Sequence, residues 1–176
     1  GSGPDWQKIA CALATRSALT VITGGPGTGK TTTVVKLLGL MQSAALENDR
    51  PLRIKLAAPT GKAAARLSES IGEAVAHLDV DDTVREQIPA QPTTLHKLLG
   101  RRPDSRHFRH DRHNPLHADL VVVDEASMID LEMMASLLQA LRPQTRLVLL
   151  GDKDQLASVE AGAVMGDLCH NAGQGL

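Results

Sequence analysis

The sequence predicts an α/β domain in which helices flank a parallel β-sheet. Four short apolar segments alternate with helical stretches along its 176 residues. Strands that are apolar with little alternation are typical of parallel sheets, which are covered on both faces. The length suffices for one domain with a core and is too short for two full α/β domains.

The elements follow from hydrophobic pattern and turn residues. The predicted strands are residues 19–23, 54–59, 120–124 and 146–151. The predicted helices are residues 5–15, 29–46, 61–77, 94–99, 131–141 and 161–170, with a connector at 79–92. Residues 101–117 are polar, contain two prolines and predict an inserted surface loop or hairpin. We leave Gly1-Ser2-Gly3 out of the fold as an expression remnant.

Composition excludes several classes of protein. No apolar run approaches the ~18–20 residues of a membrane span. Trp6 and Phe108 are the sole aromatic residues, which argues against a base-stacking platform. Cys11 and Cys169 form no zinc-ligand spacing and fit a reduced, cytosolic chain.

The net charge of −1 conceals an asymmetry. Residues 69–86 hold six acidic side chains against one arginine, whereas residues 101–113 hold five arginines against two aspartates. A nearly neutral chain can therefore still present a basic element to nucleic acid.

A glycine-rich loop is predicted to bind phosphate. Residues 24–31 read GGPGTGKT, between a predicted strand and a predicted helix. Glycines let several backbone N–H groups approach an anion, and the helix N-terminus adds partial positive charge. Lys30 would reach the β- and γ-phosphates, and the Thr31 hydroxyl would bind Mg²⁺. This context disfavours an ordinary glycine-rich turn.

Two later strands end in polar residues. The strand at 120–124 runs into Asp124 and Glu125, where an Asp can hold Mg²⁺ and a Glu can take a proton from the attacking water. The pair favours nucleotide hydrolysis over phosphoryl transfer to a small substrate. Gln155 follows the last strand and could contact phosphate or water, although a capping turn explains it equally well.

In motif content and order, the chain resembles the superfamily 1 helicases of the RecD-like branch. The matching stretches are residues 24–31, 58–64, 94–96, 124–128 and 151–156. The resemblance implies a RecA-like P-loop domain in which strand 146–151 lies between strands 19–23 and 120–124. Strand 54–59 would lie on the far side of 120–124.

The resemblance also implies nucleotide-site roles. Lys30, Glu125 and Gln155 would be catalytic, with Glu125 the general base and Gln155 the γ-phosphate sensor. Thr31 and Asp124 would hold Mg²⁺. ATP would be bound by Gln7, which reads adenine, and by Gly25, Pro26, Gly27, Thr28, Gly29, Lys30, Thr31 and Thr32.

A DNA-contacting surface is implied as well. Its residues would be Pro59, Thr60, Gly61, Lys62, Thr94, His96 and Phe108, acting on single-stranded DNA. A strand end, a capping Thr60 and Lys62 suit a DNA phosphate, although a plain capped helix start remains an alternative. The insert 101–117 would resemble a pin-type hairpin; a solvated loop is the alternative, and a histidine metal site is disfavoured.

Within this branch the chain resembles the alpha-subunit family of exodeoxyribonuclease V. This implies a 5′→3′ DNA helicase of double-strand-break repair in the bacterial cytoplasm, with the beta and gamma subunits as partners. We expect the chain to be the first motor domain of a longer protein and nearly inactive alone, because a second domain supplies arginine fingers worth about 10³–10⁵ in rate. The alternative is an ATP switch or assembly module without translocation.

Overall fold

The computed structural model describes residues 19–23 and 29–151. Among these residues, five strands form one sheet: β1 (Leu19–Thr23), β2 (Ile54–Ala58), β3 (Thr93–Thr94), β4 (Leu120–Val123) and β5 (Arg146–Gly151). The helices are α1 (Lys30–Glu47), α2 (Gly61–Ala76), α3 (Asp82–Glu86), α4 (Leu95–Leu99) and α5 (Leu131–Gln139), with a 3₁₀ turn at Ala126–Met128.

The sheet is parallel throughout, in the order β1-β5-β4-β2-β3. The expected RecA-like α/β arrangement is confirmed, including the place of β5 between β1 and β4. The short edge strand β3 was not predicted as a strand, because two residues are too few to show a period.

Two apolar layers cover the sheet. In β4, Val121 and Val123 face a core shared with α4 and α5, whereas Leu120 and Val122 face a core shared with α1, α2 and α3. All four side chains are fully buried, as expected for a central strand of a sheet sandwiched between helices. The carboxyl edge of a rigid sheet therefore carries the loops that follow.

Backbone constraints fix where two predicted strands end. The second strand stops at Ala58 and not at 59, because Pro59 has no N–H to donate to the ladder. Strand β4 stops at Val123 and not at 124, because Glu125 adopts a left-handed backbone with φ 50°. Both strands therefore end immediately before a motif that the sequence assigned to function.

No helix among the described residues is long and apolar enough to cross a membrane.

Candidate functional site

The end of the glycine-rich loop opens directly into α1. Gly29 has φ 77°, a left-handed conformation that glycine adopts without strain, and Lys30 begins the helix. The Gly29 carbonyl accepts hydrogen bonds from the Thr33 N–H at 3.0 Å and the Thr33 hydroxyl at 3.1 Å. No acidic residue lies in the first helical turn, so no carboxylate of that turn competes with a bound anion for its N–H groups and positive dipole. This geometry suits an anion such as a phosphate.

The half-buried Lys30 and Thr31 also border a cleft of about 570 Å³ between the first turn of α1 and the second half of α2. Thr32, Lys36 and His77 line it as well. Asp124 and Glu125 are absent from its described lining, so the cleft does not include these two carboxylates.

Asp124 follows β4 at the carboxyl edge of the sheet. Its backbone N–H donates to the Ala57 carbonyl at 2.9 Å, and its Oδ1 accepts the Glu125 N–H at 2.8 Å. Val123 pairs with Leu149 of β5, which in turn pairs with Val21 of β1. Asp124 therefore lies about 10 Å, two strand spacings, from the strand that leads to the glycine-rich loop.

The donor chemistry at this edge fits Mg²⁺ held with a nucleotide. Asp124 presents a carboxylate directly after β4, and hydroxyl and carboxylate oxygens are the ligands that Mg²⁺ prefers. Mg²⁺ normally takes one or two protein ligands together with phosphate oxygens and water, so Thr31 and Asp124 would suffice as the protein ligands.

The Glu125 carboxylate contacts a side chain of α2. Its Oε1 accepts a hydrogen bond from Arg66 Nη2 at 3.0 Å. Its Oε2 is buried and has no hydrogen-bond partner among the described residues. A buried carboxylate oxygen without a partner calls for a water or ligand atom beside it, which is the chemistry a general base needs.

Two helix starts lie side by side at the other end of the sheet edge. Thr60 caps α2, its hydroxyl accepting from the Ala63 N–H at 3.1 Å, and Thr94 caps α4 by accepting from the Lys97 N–H at 3.2 Å. Ala58 pairs with Thr94 across β2 and β3, so both caps follow adjacent parallel strands. Gly61 and Lys62 are exposed next to them and Pro59 is half-buried. The predicted DNA contacts at residues 59–62 and at Thr94 therefore share one surface.

The insert forms small antiparallel turns next to this surface. Isolated bridges join Arg101 to Phe108 and Asp111 to Asn114. The Phe108 ring lies 6.0 Å from the exposed His96 ring at 59°, and both border a groove of about 300 Å³ against α5. Phe108 is half-buried and partly packs on the core, so part of its ring serves the fold. No cluster of three or more His, Cys, Asp or Glu in the described part of the chain could hold a metal.

Several predicted residues lie outside the described residues. They are Gln7, Gly25, Pro26, Gly27, Thr28 and Gln155, along with the predicted helices at 5–15 and 161–170.

One functional candidate was missed from the sequence. Arg66 was not singled out, although it lies four residues after Lys62 on α2 and so shares its helical face. That spacing was the available signal. Its partner Glu125 is 59 residues away, and this pairing could not be found without the sheet order.

A family model described as an AAA domain matches residues 7–161 of the chain. The chain belongs to this AAA domain family. The matched region is a helicase-type motor domain, and the family implies that it binds a nucleotide.

Relatives of this AAA domain include RecD proteins. The chain is 57% identical over 175 residues to the RecBCD enzyme subunit RecD of Mycolicibacterium smegmatis, and these residues cover 98% of the chain and 31% of that relative. It is 55% identical over 168 residues to the subunit of the same name from Haemophilus influenzae, covering 93% of the chain and 26% of the relative. The ATP-dependent RecD2 DNA helicase of Deinococcus radiodurans is 42% identical over 144 residues, which cover 82% of the chain and 17% of that relative.

The chain thus spans less than a third of the length of these relatives. The resemblance to RecD-like helicases expected from the motifs is confirmed.

Proposed function

We propose that this AAA domain binds and hydrolyses ATP as the first motor domain of a 5′→3′ DNA helicase acting in double-strand-break repair and recombination. One observation carries the proposal. The candidate nucleotide residues after β1 and β4 and the candidate DNA residues after β2 and at the end of β3 all lie at the carboxyl ends of parallel strands of one sheet. Ligands bind in this position in open α/β sheets.

In this proposal the start of α1 and the end of β4 enclose the phosphates. Lys30 neutralises the β- and γ-phosphates, while Thr31 and Asp124 hold Mg²⁺, which supplies charge stabilisation to the transferred phosphoryl group. Thr32, with the loop residues up to Gly29, completes the phosphate contacts, and Gln7 reads the adenine edge.

Glu125 is the proposed general base. Its Oε2 is buried without a described partner, so it can accept a hydrogen bond and then a proton from a water that attacks the γ-phosphate. Gln155 is proposed to sense the γ-phosphate.

The paired caps of α2 and α4 are the proposed track for single-stranded DNA. Helix N-termini and an exposed lysine contact phosphates without reading sequence, which suits a translocating protein. Lys62 follows the cap of α2, and His96, whose ring lies 6.0 Å from that of Phe108 in the insert, follows the cap of α4.

We further propose that a second motor domain of the same protein supplies arginine fingers to this site. The beta and gamma subunits of exodeoxyribonuclease V are the proposed partners, in the bacterial cytoplasm. RecD of the two relatives above is named as a subunit of the RecBCD enzyme, which supports this assignment.

The test is an ATPase assay of the full-length protein with and without single-stranded DNA, beside the 176-residue chain. Lys30→Ala should abolish nucleotide binding. Glu125→Gln should retain nucleotide binding and lower turnover by about 10²–10⁴-fold, the usual contribution of a general base. Glu47→Gln, at the end of α1, is the matched control and should change neither.

A Glu125→Gln protein with undiminished turnover would overturn the assignment of the base. Binding of ATP and DNA with no hydrolysis in the unaltered full-length protein would favour the assembly switch instead. Full DNA-stimulated turnover by the 176-residue chain would contradict the need for a second domain.

A further inference from the structure

We propose that Arg66 couples DNA binding at α2 to the orientation of the Glu125 carboxylate. The guanidinium holds the carboxylate while the start of α2 is free, and it leaves the carboxylate when a DNA phosphate binds the same face of the helix. This inference rests on the proposed function, because it makes the DNA-contacting helix a regulator of ATP hydrolysis.

The contact joins two parts of the site with different proposed ligands. Arg66 Nη2 lies 3.0 Å from Glu125 Oε1. Arg66 is on α2, whose first residues are the proposed DNA contacts, and Glu125 follows β4. The strand that enters α2 is the direct neighbour of β4, and the Ala57 carbonyl accepts the Asp124 N–H at 2.9 Å. The sheet therefore fixes the backbones, and the Arg66 side chain is the adjustable element.

The ion pair restrains Glu125. The Glu125 backbone is held at φ 50° and ψ 43°, so its side chain leaves from a fixed direction. Oε1 is occupied by Arg66, whereas Oε2 is buried and has no partner among the described residues. A charge-assisted hydrogen bond fixes the plane of the carboxylate, and any rotation that turns Oε2 toward an attacking water must break it.

The same pair is easily exchanged. The Arg66 side chain is 65% exposed and that of Glu125 is 29% exposed. Exposed ion pairs are screened by solvent and contribute little to stability, so a competing anion can displace one. Arg66 is the partner that can move, because it is the more exposed of the two.

A DNA phosphate at α2 would be such a competitor. Lys62 and Arg66 are four residues apart on one helix and lie on the same face, about 6 Å apart along the axis. Guanidinium groups bind phosphate oxygens through two parallel hydrogen bonds, so a phosphate held near Lys62 lies within reach of Arg66. Once Arg66 turns to the phosphate, the Glu125 carboxylate can rotate and direct Oε2 at the attacking water.

The first test measures ATP turnover of the full-length protein with and without oligothymidylate. Arg66→Ala should raise the DNA-free kcat by about two- to fivefold, the range typical of an exposed ion pair, and lower the ratio by which DNA stimulates turnover. Arg66→Lys keeps a cation and should restore part of that ratio. Arg50→Ala removes an exposed arginine from the loop before β2 and is the matched control.

A fall in kcat by the same factor with and without DNA would overturn the coupling, because Arg66 would then only position the base. An unchanged stimulation ratio would overturn it as well.

The second test needs no turnover. By reciprocity, removing the charge of Glu125 should free Arg66 for DNA. We expect Glu125→Gln to tighten binding of fluorescein-labelled oligothymidylate without nucleotide by about two- to fivefold in anisotropy titrations at fixed salt. The double variant with Arg66→Ala should lose this gain. Equal affinities of the unaltered protein and Glu125→Gln would overturn the coupling.

Failure of the proposed function has a different signature. In that case neither the unaltered full-length protein nor its Arg66 variants would show DNA-stimulated hydrolysis.

Discussion

Gly100→Ala is expected to be strongly destabilising, for reasons visible in the backbone. Gly100 ends α4 at φ 75°, where its N–H donates to the His96 carbonyl at 3.0 Å and the Lys97 carbonyl at 3.2 Å. Its own carbonyl accepts from the Arg109 N–H at 2.7 Å, which ties the insert to the helix end. The residue is therefore both a helix terminator and the hinge of the insert.

Two costs add at this position. A left-handed backbone costs a residue with a Cβ about 1–2 kcal/mol. A Cβ on Gly100 would also lie 2.9 Å from Arg109 Cβ, so the backbone of the insert must shift, and such overpacking costs about 1–3 kcal/mol. Together these costs come to about 2–5 kcal/mol, and at roughly 2–4 °C per kcal/mol for a domain of this size Tm should fall by roughly 4–20 °C.

Thermal unfolding followed by far-ultraviolet circular dichroism measures the change, with Gly72→Ala as the matched control. Gly72 lies inside α2, and no packing neighbour comes within 4 Å of the position that a Cβ would take. Alanine there should raise stability by about 1 kcal/mol through helix propensity. The two glycine-to-alanine changes should thus have opposite signs. A Gly100→Ala protein as stable as the unaltered one would refute the reasoning.

Two further predictions concern buried and exposed polar contacts. Gln42 is fully buried, with Oε1 accepting the Leu52 N–H at 2.7 Å and Nε2 donating to the Leu52 carbonyl at 3.1 Å. Gln42→Leu should lower the free energy of unfolding in urea by at least about 2 kcal/mol, because it leaves these buried backbone groups without partners. A smaller decrease would contradict this reasoning. The Arg53 guanidinium lowers the pKa of the Asp119 carboxyl below its ordinary 3.8, so the pair stabilises the fold above that value and its contribution is lost as the pH falls through the lowered pKa. Asp119→Asn should therefore lower the urea midpoint at pH 7 and have less effect the further the pH falls below 3.8, and a difference independent of pH would exclude the ion pair as its cause.

The sequence alone predicted the parallel sheet, its strand order and the positions of the motifs, because these depend on local apolar runs and on the resemblance to RecD-like helicases. The residues at which strands end were harder to predict. The strand before Glu125 ends one residue early because of a left-handed backbone at a non-glycine residue, which no hydrophobic pattern indicates.

Contacts between distant side chains were out of reach for a different reason. The pairing of Arg66 with Glu125 depends on the adjacency of β2 and β4 and on the rotation of α2, each a consequence of packing across the whole domain. The adjacency of His96 and Phe108 likewise requires the insert to fold back on α4.

The four fully buried residues of β4 have a consequence for hydrogen exchange. Amides of a central strand exchange with solvent only when the whole domain unfolds, whereas segments held by few backbone bonds open on their own. The Asp124 amide, bonded to the Ala57 carbonyl, belongs to the slow set, and the insert with its two isolated bridges belongs to the fast set. We therefore expect slow deuterium uptake at the backbone amides of β4 and Asp124 and fast uptake at the amides of the insert. This difference would show that the insert opens without unfolding the strand that carries the carboxylates.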